Sequence, residues 1–577
     1  MSRRVRVGLI VWVLGALGLV LPAVAGAHAA LLRTSPSASV VTNGSPPQVA
    51  LTYSESIEPR FSIISVTDVN GKQVTSGSPA RQPGAPQTLV EPLQKLPPGW
   101  YLVIWRVISA DGHPVRGAFT FAVGPSPGPA PQFVIPSLSE TAATPGLVGL
   151  RFVAFLSAML AVGLFAFRML IARPLARTAS GAGLRAVTLA FGASLAVSLV
   201  AVPVYVLAST AKFALRSTLD LGTLIPLVRV SGFGRSFVDL WIVLALFGAA
   251  SLAAIAIDRP ARPIRSAAEL LVTGAALITA GAVLVIPSIA GHASQTSPAA
   301  LALGLDWVHL VCGSLWIGGL LGLLVVWFAT PSTRRRPALA LVVPRFSSVA
   351  FVSVLALLAS GVAAAYLHLP TLASLWDTSY GKVILIKSGL LAATMLLAAV
   401  NLLVTRPRLA AAGIREDLAE RAPALLRRLL AGEIVLVVAA VLAASVLTSL
   451  PPPPKALANL GTASAKVGPG AVAQVVHAGA YELRVRITPN RAALPNTFSV
   501  AISRGGQPLH GAEVTMRFTM LDMDEQQQIY TLPEQGAGTY SRSAPALVMV
   551  GRWGLGFTIT PPSGTPFDVL VIDRASG

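Results

Sequence analysis

The sequence predicts a chain of three parts: an N-terminal all-β domain, an eight-helix transmembrane bundle and a C-terminal all-β sandwich. Three observations predict it. Of 577 residues, 54% are hydrophobic and only 12% are charged, with mean hydropathy +0.69, whereas soluble globular proteins carry roughly 25% charged residues. Eight apolar runs reach the ~20 residues that a membrane-spanning helix needs. Both flanks instead carry short runs of β-branched and aromatic residues punctuated by Gly and Pro, the pattern of strands and turns. The net charge of +20 does not signal nucleic acid, because the basic residues sit in short loops between apolar runs and form no basic stripe with aromatics.

The chain opens as a secretory signal peptide, residues 1–27. Arg3, Arg4 and Arg6 supply the charged region, Gly8 to Val20 the apolar region, and Ala25-Gly26-Ala27 the small-residue cleavage pattern. The alternative is an uncleaved anchor. Cleavage after Ala27 makes His28 the new N-terminus. An α-amine and an imidazole in one residue can chelate a metal, and Cu(II) favours such nitrogen and oxygen ligands. The plain alternative is the first residue of a frayed end.

Residues 28–124 read as one small β domain, with an immunoglobulin-like or cupredoxin-like Greek-key sandwich expected from PQVALTY, FSIISVT, YLVIWRV and AFTFAV. Between its last two strands lies SADGHPVRG, residues 109–117, which sets Asp111 two residues from His113 in a turn. Taken together, His28-Ala-Ala-Leu, Thr34-Ser35-Pro36, Leu51-Thr52-Tyr53-Ser54-Glu55, Pro98-Gly99-Trp100-Tyr101, Trp105-Arg106-Val107 and Asp111-Gly112-His113-Pro114 resemble the periplasmic copper-binding CopC family. That resemblance implies a Cu(II) site made by the amine and ring of His28 with Asp111 and His113, and Glu55 beside it. No methionine lies between His28 and Gly124, so the methionine-rich Cu(I) site of some members is not expected.

A Pro/Gly linker, 125–144, leads to spans near 147–172, 183–209, 237–257, 266–290, 301–329, 345–367, 383–405 and 426–450. If the β domain lies outside, loops within 173–185, 259–265, 334–345 and 406–428 face the cytoplasm. They carry sixteen Arg residues, against five basic residues (Lys212, Arg216, Arg229, Arg235 and Lys382) in the outer loops. This is the bias of the positive-inside rule, and it returns the C-terminus to the outside. None of the seven histidines then falls on the cytoplasmic side. His292 and His368 lie at outer helix ends and His309 lies inside the fifth span, with the lone cysteine, Cys312, three residues on. Ionisable groups inside a membrane usually mark a functional path; the alternative is an interfacial histidine bonded to water or backbone. Lys387, Asn401 and Glu433 also fall inside spans and read as one buried polar network holding the bundle together, with a role in permeation as the alternative, while Asp220, Asp239 and Asp306 are candidate carboxylates near the outer mouth.

Gly291-His292-Ala293, His309 followed by Trp316-Ile317-Gly318-Gly319, Phe346-Ser347, Tyr380-Gly381 with Lys387, Asn401 and Glu433 make residues 145–450 similar to the CopD membrane family. That family is associated with CopC in copper uptake or resistance. The resemblance implies a copper path whose candidates are His292, His309, Cys312 and His368.

A second linker, 451–471, opens with PPPPK. Residues 472–577 then alternate as strands, as in an immunoglobulin-like sandwich. PNTFSVAISRGGQPLHGAEVTMRFTM and GAGTYSRSAPALVMVGRWGLGFTI resemble the exported YtkA-like or FixH-like β domains of copper handling and oxidase assembly. Met516, Met520, Met523 and Met549 are candidate Cu(I) thioethers or core filling, with His477 and His510 as further candidates.

The expected function is a copper-handling protein of the cytoplasmic membrane, not an enzyme, that captures Cu(II) at the outer face and moves copper inward, as Cu(II) or Cu(I). Its partners are copper ions, the lipid bilayer and oxidase-assembly or other copper proteins, with no nucleic acid. No GxxxxGK[ST] or DKTG motif occurs, so transport is not ATP-driven. The rivals are an exported chaperone feeding an oxidase, a copper sensor or buffer, an oxidative copper enzyme, and a haem-binding bundle using His292 and His309.

Overall fold

The computed structural model describes residues 31–38, 40–53, 57, 59–108, 114–125, 145–178, 181–214, 216–289, 291, 293, 296, 298–405, 416–450, 452–453, 463–492, 494–521, 528–548 and 550–576. In the first domain, alternation builds two facing sheets. One has the order β1 (Leu31–Ser35), β3 (Gln48–Tyr53), β6 (Ala85–Pro92), β5 (Ala80–Gln82). The other has the order β2 (Val41–Thr42), β8 (Pro114–Val123), β7 (Gly99–Ile108), β4 (Ile63–Asp68). In β3, Val49, Leu51 and Tyr53 are fully buried between half-buried neighbours, the two-residue period of a strand with one face in a core. Tyr53 meets Trp105 edge-on across the sandwich at 5.8 Å.

β7 departs from simple alternation because both its faces are covered. Tyr101, Val103, Trp105 and Val107 enter the sandwich core, while Trp100 and Leu102 face the other way and pack on Leu494 of the C-terminal domain. The Ala118 amide also donates to the Val548 carbonyl at 3.4 Å. The two β domains therefore dock on each other, although more than 300 residues of membrane sequence separate them.

Among the described residues, eight helices are long and apolar enough to cross a membrane: α1 Pro145–Ala172, α2 Gly181–Lys212, α3 Phe233–Ile257, α4 Ala267–Ile289, α5 Ala299–Ala329, α6 Ser332–His368, α7 Ser379–Val404 and α8 Leu425–Leu447. Between α2 and α3, where the sequence reads as a loop, lies a ten-residue helix, Leu221–Val230, capped by Asp220. The centre of the bundle is α5, and glycine puts it there. A Cβ on Gly163 of α1 would sit 1.9 Å from the Ser314 carbonyl oxygen and 2.9 Å from Gly318 Cα, so α1 and α5 touch backbone to backbone. The Phe346 ring lies over Gly319 and the Phe167 ring over Gly322. In lipid, where helices gain nothing from leaving water, small residues that permit such close van der Waals packing hold them together.

The two ends of the bundle differ. At the end where α2 finishes and α7 begins sit both β domains. Arg106 donates to the Lys212 carbonyl at 3.2 Å and Arg552 to Ser379 Oγ at 3.1 Å. Phe61 and Ile108 of the first domain join the apolar core of the helices. At the other end, Asp258 is fully buried between Arg168 (3.0 Å) and Arg173 (2.8 Å). Arg173 also donates to the carbonyls of Arg259 and Arg262, and Glu269 accepts from the amides of Arg259 and Ser266. Several arginines that set the charge bias thus also tie the ends of α1, α3 and α4 together.

The C-terminal domain is a second sandwich. One sheet runs β10 (Val472–Ala478), β11 (Tyr481–Thr488), β12 (Asn496–Arg504), β17 (Thr539–Ala544), β16 (Glu534–Gly536), with β13 (Gln507–Pro508) on β12. The other runs β15 (Gln528–Leu532), β14 (Glu513–Met520), β18 (Gly551–Thr560), β19 (Phe567–Ala575), β9 (Ala463–Lys466).

Two expectations follow. Gly163→Val should break the α1–α5 contact, lowering the yield of folded protein and its thermal midpoint, since overpacking costs about 1–3 kcal/mol or more. Gly149→Ala, with nothing within 4 Å of the new methyl, should behave as wild type, and equal melting of all three proteins would refute the contact. In the first domain, Glu91 is 1% exposed with Oε2 unpartnered, and burial lifts its carboxyl from 4.5 to about 7. Because the folded state holds this proton more tightly, the stabilisation is complete below about pH 4.5 and is lost as pH rises through 7. Glu91→Gln should then gain about 1–3 kcal/mol on wild type between pH 5 and pH 8, read by thermal melting of residues 28–124; parallel pH profiles would exclude it.

Candidate functional site

Two places invite attention: the end of the first sandwich that faces the helices, and the interior of the bundle. At the first, β1 begins at Leu31, paired with Tyr53 at the end of β3. Across the sandwich, Trp105 stands against Tyr53, and β7 ends at Ile108, paired with Pro114 at the start of β8. Leu31, Tyr53, Ile108 and Pro114 therefore share one end of the sandwich, and in sequence they border three stretches, residues 28–30, 54–56 and 109–113. The expected ligands His28, Asp111 and His113, and the neighbouring Glu55, belong to those stretches and lie outside the described residues. The scaffold around them is described. Ile108 is packed into the helix core and Arg106 reaches the end of α2, so this end of the sandwich is the one seated on the bundle.

Inside the bundle, His309 of α5 meets α6 and α7. Its Nδ1 lies 3.1 Å from Ser360 Oγ and its Nε2 lies 3.2 Å from Lys387 Nζ. Gly361 makes the seat: a Cβ there would stand 3.3 Å from His309 Cε1. The Asp306 carboxylate, one turn nearer the β-domain end, acts on Lys387 through space. His368 is engaged as well, Nδ1 with the Ala364 carbonyl at 2.7 Å and Nε2 with Thr296 Oγ1 at 3.1 Å, its ring stacked near Tyr380. Cys312 is half-buried and packs with the apolar core. His292 lies outside the described residues.

The candidate path residues are thus not gathered into one metal centre: among the described residues no three His, Cys, Asp or Glu side chains converge. The expected single network of Lys387, Asn401 and Glu433 is two. Lys387 belongs with His309, whereas Asn401 donates to Glu433 Oε1 at the wall of a cavity of about 220 Å³, shared with Trp316 and Phe346. Asp220 is occupied as a helix cap and Asp239 is exposed. The Lys387–His309–Ser360 contact was not legible in the sequence, because its members are 51 and 78 residues from His309; a lysine in mid-span was the only signal.

In the C-terminal domain, Met516 and Met520 share the inward face of β14 as their spacing implies, and that face is the core. They are 0% and 3% exposed, opposite Phe557 and Trp553. Their surroundings are those of core filling. Met523 and Met549 lie outside the described residues. His477 is exposed, and His510 Nδ1 pairs with Glu534 Oε1 at 2.8 Å.

Known proteins resemble this chain in three separate stretches and, in one relative, over most of its length. Family models match at residues 31–124 (CopC domain), 340–447 (Copper resistance protein D) and 477–556 (YtkA-like). The CopD match takes in α7, α8 and most of α6, with Ser360, Lys387, Asn401 and Glu433, but not His309. The chain is 25% identical over 552 residues to the copper transport protein CutJ of Bacillus subtilis (strain 168), covering 94% of this chain and 95% of that one. It is 36% identical over 104 residues to the copper resistance protein C of Escherichia coli, covering 17% of this chain and 82% of that protein. Among solved structures, CopC from Methylosinus trichosporium OB3b is 36% identical, covering 18% of this chain and all of that one, with TM-score 0.17. The chain belongs to the copper transport and resistance family in which a CopC domain is fused to a CopD membrane domain, here followed by a YtkA-like domain.

Proposed function

We propose that the protein captures Cu(II) at its CopC domain, through the amine and ring of His28 with Asp111 and His113, and Glu55 beside them, and moves copper through the helices into the cell. One observation carries this reading. The sandwich end from which those residues depart is the end packed on the bundle, through Ile108, Phe61 and Arg106. The relatives are named for copper transport and resistance, not catalysis, and we read this chain likewise as a carrier. The arginine-rich end around Asp258 is the cytoplasmic one by the positive-inside rule, which puts both β domains outside in a multi-pass protein of the cytoplasmic membrane. In the absence of an ATP-binding motif, the drive is the copper gradient, a coupled ion or trapping inside.

The rival is an exported chaperone or buffer that supplies a membrane oxidase without permeation. The engagement of both ring nitrogens in His309 and in His368 favours it. Copper accumulation separates the two. Cells that carry the protein should accumulate more copper than cells that lack it, and Asp111→Ala with His113→Ala should abolish the difference. Equal accumulation would leave the chaperone. Adding one residue before His28 in the isolated first domain should weaken Cu(II) binding by about 100-fold, at least the upper end of what loss of an outer-shell partner costs, and unchanged affinity would remove the amine from the site.

A further inference from the structure

The hydrogen bonds at His309 fix where its proton lies. Ser360 Oγ is 2.6 Å from the Ala356 carbonyl oxygen, which has no hydrogen to offer, so the serine hydroxyl donates there. Its oxygen must then accept from His309, and the imidazole carries its hydrogen on Nδ1. That leaves a bare lone pair on Nε2. Lys387 Nζ, 3.2 Å away, donates to it. The lone pair through which this histidine would bind a metal is already taken, and a basic side chain takes it.

The depth is also fixed. His309 lies ten residues into α5, Lys387 eight into α7 and Ser360 eight from the end of α6, all counted from the β-domain end. At 1.5 Å per residue these lie about 12–15 Å along their helices from that end, well inside spans of 31, 26 and 37 residues. A basic side chain in mid-membrane is costly and is seldom kept without a task. Asp306, one turn outward, is the acid that attracts it.

Building on the transport reading above, we propose that Lys387 is a tethered plug in the permeation path: its amino group fills the position at His309 Nε2 that a copper ion in transit must take, and copper passes by exchanging with it. Two cations cannot share one lone pair at 3 Å. The exchange is also a filter. Copper binds imidazole nitrogen strongly, whereas hard alkali cations prefer oxygen and cannot displace the amine. Asp306 stands one turn outward of His309 on α5, and Gly361 seats the ring against α6.

The test uses the full chain in liposomes, with Ag(I) as a redox-inert stand-in for Cu(I) and with K⁺ as the excluded ion. Lys387→Met should raise Ag(I) influx by about tenfold or more, the scale of one lost hydrogen bond to a charged group, and should admit K⁺. Lys387→Arg keeps a donor cation and should still exclude K⁺. A binding measurement in detergent reads the same site without flux. At equal free Ag(I), Lys387→Met should hold one more equivalent than wild type, and the double variant with His309→Gln should lose it. If Lys387→Met elutes as a single folded species yet shows neither the extra equivalent nor faster Ag(I) entry, the plug is overturned. If wild-type vesicles pass no more Ag(I) than protein-free ones, the transport reading fails, and the extra equivalent still decides whether Lys387 blocks His309.

Discussion

The bundle depends on how closely α5 can approach its neighbours. Gly163 and Gly318 let α1 and α5 meet through backbone atoms, and Gly319 and Gly322 admit the rings of Phe346 and Phe167. With α5 packed in this way against α1, α2, α4, α6 and α8, the outer half of the same helix presents His309 to Ser360 and Lys387. Four small residues thus decide where the one deeply placed histidine among the described residues stands. The sequence motif Trp316-Ile317-Gly318-Gly319 is a packing device first, and it serves the polar site at a distance of two to three turns.

What could be read from the sequence follows from how local each signal is. An apolar run of twenty residues is a strong local signal, so the spans read at 147–172 and 301–329 agree with α1 and α5 to within two residues at each end. The short helix Leu221–Val230 was read as loop because its apolar run is only ten residues long, with Pro226 inside. Strand alternation gave the inward face of β14 but not its purpose. A period of two places Met516 and Met520 together whether they bind metal or fill a core, and only their burial against Phe557 and Trp553 separates the cases. Contacts between distant segments left no local trace. Neither Leu494 on Trp100 nor Lys387 on His309 could be inferred from spacing, and Lys387, Asn401 and Glu433 were joined in one network merely because all three are polar residues in spans.

The charge economy of the two ends has a similar logic. At the arginine-rich end the buried carboxylate of Asp258 has two guanidiniums within 3.0 Å. Removing either partner from such a group costs about 3–5 kcal/mol, so Arg173, one of the loop arginines behind the charge bias, also locks the finished fold. In mid-membrane the balance is different. Lys387 is met by a neutral imidazole, with Asp306 acting only through space.

The seating of the first sandwich on the helices, through Ile108, Phe61 and Arg106, alters the kinetics available to the molecule. Two separate proteins would meet at a rate set by their abundance. Tethered and docked partners meet at an effective concentration on the order of millimolar, whatever the level of either in the cell. On the transport reading proposed above, fusion removes the diffusive interval between capture of the ion and its entry among the helices.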